Sequence, residues 1–155
     1  SSLTHLHWNA YAEGKNYVTK IMLHGMTSAP AAELATMARS WGNPPKLQLA
    51  GEGFSGGDFD QTERAYVLAR KDVAHDAALT FRLNASKESP VHNVALVVKG
   101  WGEASADLTL DGTKVPRGED FRFAHVPSLE GTDLVVWIKT RAATPIQIAL
   151  SPSKL

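Results

Sequence analysis

Three features of the sequence predict a mostly β fold: an antiparallel β-sandwich of seven to eight strands with one α-helix at about 28–41 and an N-terminal β-hairpin. Apolar and polar residues alternate with a period of two through most of the chain after Lys46. Gly, Pro, Asn and Asp interrupt that alternation roughly every ten residues, as turns between short strands do. Only one stretch repeats its apolar residues at helical spacing. A jelly roll is the alternative arrangement of the same strands. Because no helical pattern separates the strand-like runs, a parallel α/β sheet is not expected. The chain divides by texture into a hairpin-plus-helix annex over 1–45 and a β-sandwich domain over 46–155.

The first elements are the hairpin strands, Leu3 to Ala10 and Tyr17 to His24, turning about Glu13-Gly14. Pairing Leu6 with Ile21, Thr4 with Leu23, Trp8 with Thr19 and Ala10 with Tyr17 gives a coherent apolar face. The opposite face then carries His5, His7, Lys20, Met22 and His24, so three imidazoles share one surface.

The helix follows in "TSAPAAELATMARSWGNPP". Thr27 or Ser28 suits the N-cap, Pro30 the first turn, and Glu33 the positive end of the macrodipole. Ala31, Leu34, Met37, Ala38 and Trp41 make the apolar stripe, and Gly42 with Pro44-Pro45 ends it.

Strands are expected in 63–70, 77–85, 92–101, 106–112, 113–115, 120–126, 133–140 and 145–150. In "AALTFRLNA", Leu79, Phe81 and Leu83 face one way while Thr80, Arg82 and Asn84 face the other. Asp111-Gly112 is the strongest turn signal, because both central residues of a type I′ turn need positive φ, and it makes "ADLTLDGTKV" a hairpin. Residues 151–155 read as a tail.

Composition narrows the partners. With 43% hydrophobic residues the chain can build a core, and 16 basic residues balance 16 acidic ones, so there is no basic patch for a nucleic acid or an anionic membrane. An uncharged partner is expected. Cysteine is absent, which removes disulfides, thiolate zinc sites and cysteine nucleophiles. No window approaches the roughly twenty apolar residues of a membrane span, and no signal-like apolar region stands out. The initial serine points to a processed or excised piece.

Three constellations carry candidate chemistry. His5, His7 and His24 form an alternative transition-metal site able to activate water, although Lys20 opposite His7 would repel a cation. His75, His92 and His125 lie at turns and strand ends and read as structural. In "GEGFSGGDFDQTE", Asp58, Asp60 and Glu63 offer hard oxygen ligands in a glycine-rich loop suited to calcium, though not at EF-hand spacing. Trp101, between two glycines, is placed to stack on a pyranose ring, with Glu103, Asp107 and Arg82 as hydroxyl partners. Trp137 alternates with Val135 opposite Leu134, Val136 and Ile138, and is expected in the core.

No G-x-S-x-G nucleophile elbow, H-E-x-x-H helix, P-loop or G-x-G-x-x-G turn is expected. Carboxylate pairs such as Asp58 with Glu63, or Glu103 with Asp107, would need a spatial separation of roughly 5 to 9 Å to hydrolyse a glycosidic bond. The sequon Asn84-Ala85-Ser86 matters only in a eukaryotic secretory route.

The run "MARSWGNPPKLQLAGEGFSGGDFDQTERAYVL", with the closing strands "LEGTDLVVWIKTRAATPIQIALSP", resembles the C-terminal portions of secreted bacterial polysaccharide-active enzymes. In these a final helix and a proline-rich crossing lead into an accessory β-sandwich similar to carbohydrate-binding modules. The resemblance implies a polysaccharide or oligosaccharide partner, a catalytic domain upstream, and a secreted or periplasmic home. It carries over no catalytic residue. The expected function is therefore a non-catalytic accessory or carbohydrate-binding module associated with polysaccharide breakdown. A small metal-dependent enzyme using His5, His7 and His24 is the alternative.

Overall fold

The computed structural model describes residues 30–71 and 77–154. The residues of the expected N-terminal hairpin, His5, His7 and His24 among them, lie outside the described residues, as do Thr27, Ser28 and His75. Within the described residues one helix, α1 (Ala31–Gly42), precedes ten strands: β1 (Leu47–Ala50), β2 (Phe54–Asp60), β3 (Ala65–Arg70), β4 (Leu79–Leu83), β5 (Val91–Lys99), β6 (Ser105–Leu110), β7 (Thr113–Val115), β8 (Phe121–Ser128), β9 (Gly131–Ala142) and β10 (Ile146–Ser153). They form two five-stranded sheets, the first in the order β1-β4-β10-β6-β7 and the second β2-β3-β5-β9-β8.

Alternation decides which face of each strand meets the core. Leu79, Phe81 and Leu83 of β4, and Ile148 and Leu150 of β10, are fully buried, and they join Leu96, Val98, Leu134, Val136 and Ile138 of the second sheet in one apolar cluster. Both sheets thus contribute to a single core, and each fully buried leucine or isoleucine stabilises it by about 1.5–3 kcal/mol.

The fold departs from the expectation in four places. The described strands number ten, because β1 is not among the expected strands and the glycine-rich β2 is expected as a loop. Pairing is not exclusively antiparallel: Tyr66 aligns with Leu96 and Leu68 with Val98 in a parallel β3/β5 ladder. The chain leaves the second sheet after β3 to place β4 in the first, then returns to put β5 beside β3. Residues 151–153 are no tail, since Ser151 pairs with Asp107 and Ser153 with Ser105 at the end of β10. Finally, Pro30 rather than a hydroxyl residue occupies the N-cap of α1, and no side chain caps it.

The Asp111-Gly112 hairpin is as expected. Asp111 has φ 47° and Gly112 φ 81°, and Leu110 pairs with Thr113 across the two-residue turn.

The glycines of β2 have a structural purpose. The β2/β3 register shifts between Gly56 and Asp58, a bulge in which Gly56 (φ 85°) and Gly57 (φ 109°) occupy left-handed backbone. A Cβ at Gly56 would sit 2.8 Å from the Val67 carbonyl oxygen, and one at Gly57 would sit 2.7 Å from Leu47 Cδ2. The expected absence of both motifs is corrected here, since with Gly51 and Gly53 these glycines spell G-x-S-x-G over 53–57 and G-x-G-x-x-G over 51–56. They lead into a strand rather than a helix, and Ser55 pairs with Ala69 inside the ladder, so neither an elbow nor a phosphate-binding helix terminus exists there.

The outer face of the second sheet is what positions the candidate site. β5 is its central strand and is apolar on both faces: Val94, Leu96 and Val98 enter the shared core, while Ala95 and Val97 face outward. Strands buried on both faces read as continuous apolar runs, as "VALVV" does. The helix α1 lies over this outer face. It is fixed by an ion pair from Glu33 to Arg141 of β9, by Gln61 Nε2 donating to the Trp41 carbonyl (2.8 Å), and by Asn43 Nδ2 donating to the Glu88 carbonyl (3.0 Å). The Tyr66 hydroxyl donates to the carbonyl of Pro45 at 2.6 Å and anchors the proline crossing to the sheet.

Candidate functional site

Trp101 does not stand clear of the sheet. It is 1% exposed, stacks on Phe54 at 6.4 Å between ring centroids, and lies under the Arg70 guanidinium at 5.2 Å. Its Nε1–H donates to the Ala104 carbonyl oxygen, which also lies 2.8 Å from Nε2 of His125. Positive φ at Gly100 and Gly102 turns the chain so that the indole folds inward. A buried indole has no free face for a sugar ring, so the expected stacking role is corrected.

Its expected partners are not gathered either. Arg82 and Asp107 are exposed on the outer face of the first sheet, on strands β4 and β6 that flank β10. Arg82 pairs with Gln147 and Asp107 with Ser151, four residues apart along β10 or about 13 Å. Glu103 is exposed in the β5–β6 loop.

The calcium constellation is not assembled. Asp58 and Asp60 are exposed on β2, and Asp60 Oδ1 accepts hydrogen bonds from the Thr62 and Glu63 amides, closing a turn. Among the described residues no three His, Asp or Glu side chains come together as a metal site. The sequence reads the glycines as ligand-loop flexibility, but they serve a bulge.

The structure instead brings together residues from distant parts of the chain in a cleft between α1 and the outer face of the second sheet. It contains a cavity of about 60 Å³. Ser40 (6% exposed), His92 (6%), Val97 (9%) and Val135 (2%) form its inner wall. The half-buried side chains of Trp41, Glu63, Arg64, Asn93 and Trp137 make its outer rim.

Each rim residue has a local reason to be there. Trp41 ends the α1 stripe whose inward side chains are Leu34, Met37 and Ser40. The Arg64 guanidinium stacks 4.3 Å from the Trp41 ring centroid, and Arg64 itself holds a φ of 52° in the turn between β2 and β3. Trp137 alternates with Val135 as expected, opposite Leu134, Val136 and Ile138, but its face is the outer one and it is half-buried rather than core. Its register partner Arg122 lies 4.8 Å over the ring. Asn93, with φ 61°, sits at a second bulge, where it alone lies between the His92–Arg141 and Val94–Ile138 pairs while β9 fits in both Lys139 and Thr140, and its Oδ1 accepts from the Thr140 amide. That bulge lets Val91 and Val94 both enter the core and leaves His92 on the outer face.

Burial tunes the titratable groups of the cleft. Desolvation, reinforced by the negative charge of Asp60 and opposed by Lys99, raises the pKa of Glu63. Desolvation and the nearby Arg141 lower that of His92, with Glu33 acting the other way. The Tyr66 phenol is pushed upward by burial alone. The cleft therefore presents two indoles, a neutral imidazole, an amide and one carboxyl at low net charge, a set able to stack on a neutral ring and bond its hydroxyls.

Comparison with known proteins finds no matching family model, no matching curated sequence and no matching solved structure. Among the described residues no helix is long and apolar enough to cross a membrane.

Trp41, Arg64, His92 and Asn93 are site residues that sequence reasoning does not reach. Trp41 reads as the end of an ordinary helix stripe, and His92 as a strand-end histidine. The asparagine after His92 is the only local signal, because asparagine tolerates positive φ and so marks a bulge.

Proposed function

We propose that this chain is a non-catalytic β-sandwich module that binds an uncharged polysaccharide or oligosaccharide in the cleft between α1 and the second sheet. The two sheets are the layers of the sandwich, with their shared apolar cluster between them. Supporting the reading above all is one observation: Trp41 and Trp137 rim the same cleft, beside Glu63 and Asn93. Each indole has an arginine over its ring, which holds the plane in place. A pyranose presents an apolar face for such rings and hydroxyls for the carboxyl and amide. The balanced charge of the chain suits a neutral glycan. The helix and proline crossing ahead of the strands fit an accessory module downstream of a catalytic domain, in a secreted or periplasmic polysaccharide-degrading enzyme.

Affinity electrophoresis through gels cast with soluble neutral polysaccharides tests the proposal. At least one glycan should retard the protein, and Trp137→Ala and Trp41→Ala should each abolish the retardation while keeping the far-ultraviolet circular dichroism of the parent. Unretarded migration in every gel would overturn it. The alternative, a metal-dependent enzyme at His5, His7 and His24, is tested by elemental analysis of protein purified without chelator, where stoichiometric transition metal would favour it and its absence would remove it.

A further inference from the structure

Resting on the reading of the cleft as a carbohydrate site, we propose that it is built for an acetylated sugar. The ring lies at the rim against Trp41 and Trp137, and the acetyl group enters the cavity, where its carbonyl oxygen accepts a hydrogen bond from Nδ1 of His92.

His92 carries the inference. Its side chain lines the cavity and is 6% exposed, yet its buried Nδ1 has no hydrogen-bond partner among the described residues. Buried polar atoms are nearly always paired, and leaving one unpaired costs about 1–3 kcal/mol, so an orphan beside a cavity marks a place for a ligand atom. The imidazole is kept neutral by burial. It then has one N–H to give, and the Nδ1–H tautomer matches a carbonyl acceptor.

Size selects the group that enters. A water needs about 10–15 Å³ of such a cavity, so one of about 60 Å³ takes roughly four to six small groups. That suits an acetyl group with its linking atom and excludes a whole pyranose of roughly a dozen heavy atoms, which must stay at the rim.

Wall chemistry selects among substituents of that size. Val97, Val135 and Met37 offer an apolar surface for a methyl group. A carboxylate, sulfate or ammonium would lose its hydration against these walls without gaining a counter-charge. The charged groups around His92 are Arg141 on β9, Glu33 on α1, and Glu63 and Arg64 at the β2–β3 turn. Arg141 is already paired with Glu33, Arg64 lies on Trp41, and burial favours the uncharged form of Glu63. A neutral substituent with one acceptor and one methyl group is the chemistry left.

The test is calorimetric titration of the wild-type protein with matched ligands: partially O-acetylated xylan against the same xylan after mild alkaline deacetylation, and chitin oligosaccharides against cello-oligosaccharides of equal length. The first pair probes O-acetyl and the second N-acetyl groups. In at least one pair the acetylated form should bind about tenfold tighter, the equivalent of one hydrogen bond with its methyl contact. Val97→Phe, which fills the cavity, and His92→Phe, which removes the donor, should each erase that preference and leave the weaker binding of the unacetylated form. Equal affinity within both pairs, with Trp137→Ala still abolishing binding, would overturn the acetyl inference and leave the cleft as a carbohydrate site. Absence of binding to all four ligands would overturn both.

Discussion

The hydroxyl of Tyr66 donates to the Pro45 carbonyl oxygen at 2.6 Å, joining the third strand to a proline 21 residues earlier in the chain. Both partners are buried, so the bond fixes where the helix-bearing segment meets the second sheet. Tyr66→Phe leaves the Pro45 carbonyl without this donor while keeping the ring against Phe59, 5.1 Å away. The expected loss is about 1–2 kcal/mol, read as a lower urea midpoint at unchanged slope. A midpoint equal to wild type would show that the crossing is held by other contacts.

Trp101→Ala should act on stability and not selectively on ligand binding. Removing a buried indole stacked on Phe54 costs about 3–5 kcal/mol. Trp101→Phe keeps most of the apolar surface and loses only the bond to Ala104, so its cost should be the smaller. A Trp101→Phe protein with wild-type stability and no glycan retardation would return Trp101 to the binding site.

Gly56→Ala should destabilise the protein by about 1–3 kcal/mol through backbone strain. Its φ is 85° and the added Cβ would meet a backbone oxygen that cannot step aside. Gly112→Ala is the control: its φ is also positive, but nothing lies within 4 Å of the added carbon, so only the conformational strain should appear. Thermal unfolding of the pair checks the difference.

Two opposed pH dependences are expected. The His92 pKa is lowered in the fold, so below the ordinary value of 6.5 the unfolded chain takes up a proton that the native state refuses. Stability then falls as pH falls from that value and levels off below the native pKa. For Glu63 the native pKa is raised, so the native state holds its proton to higher pH than the unfolded chain does. Stability falls as pH rises from the ordinary 4.5 through the native value and is level above it. In urea titrations across the acid range, His92→Phe should lose the first slope. Glu63→Gln should lose the second and gain stability at neutral pH. Unchanged profiles in both variants would contradict the burial of these two groups.

Much of the strand plan was legible in the sequence because alternation reports directly on a sheet with one face in the core. Leu79, Phe81 and Leu83 point inward as their spacing demands, and Asp111-Gly112 turns as its chemistry demands. What alternation cannot report is which strands are neighbours. Nothing in "AYVLAR" shows that it aligns parallel to "VALVV", since the crossing through β4 is a matter of topology. Glycine misleads in β2, where Gly56 and Gly57 read as a loop and build a bulge.

The candidate site was mostly hidden for a related reason. Trp137 is grouped with the right strand neighbours but expected in the core, because the sequence does not reveal which side of β9 is the inner one or that α1 covers the other. His92 depends on the bulge at Asn93, and Trp41 on a helix docked by the ion pair of Glu33 with Arg141, 108 residues apart in the chain. Trp101 failed as a ligand platform because flanking glycines can turn an indole inward as readily as outward.

The most direct test of the carbohydrate-binding cleft is an NMR titration of the indole N–H resonances, assigned by single Trp→Phe replacements, with the glycan that retards the protein most. The Trp41 and Trp137 signals should shift and saturate together with the binding curve, while the buried Trp101 signal, bonded to Ala104, stays in place. Saturated binding with the Trp41 and Trp137 signals unmoved would contradict the proposed site.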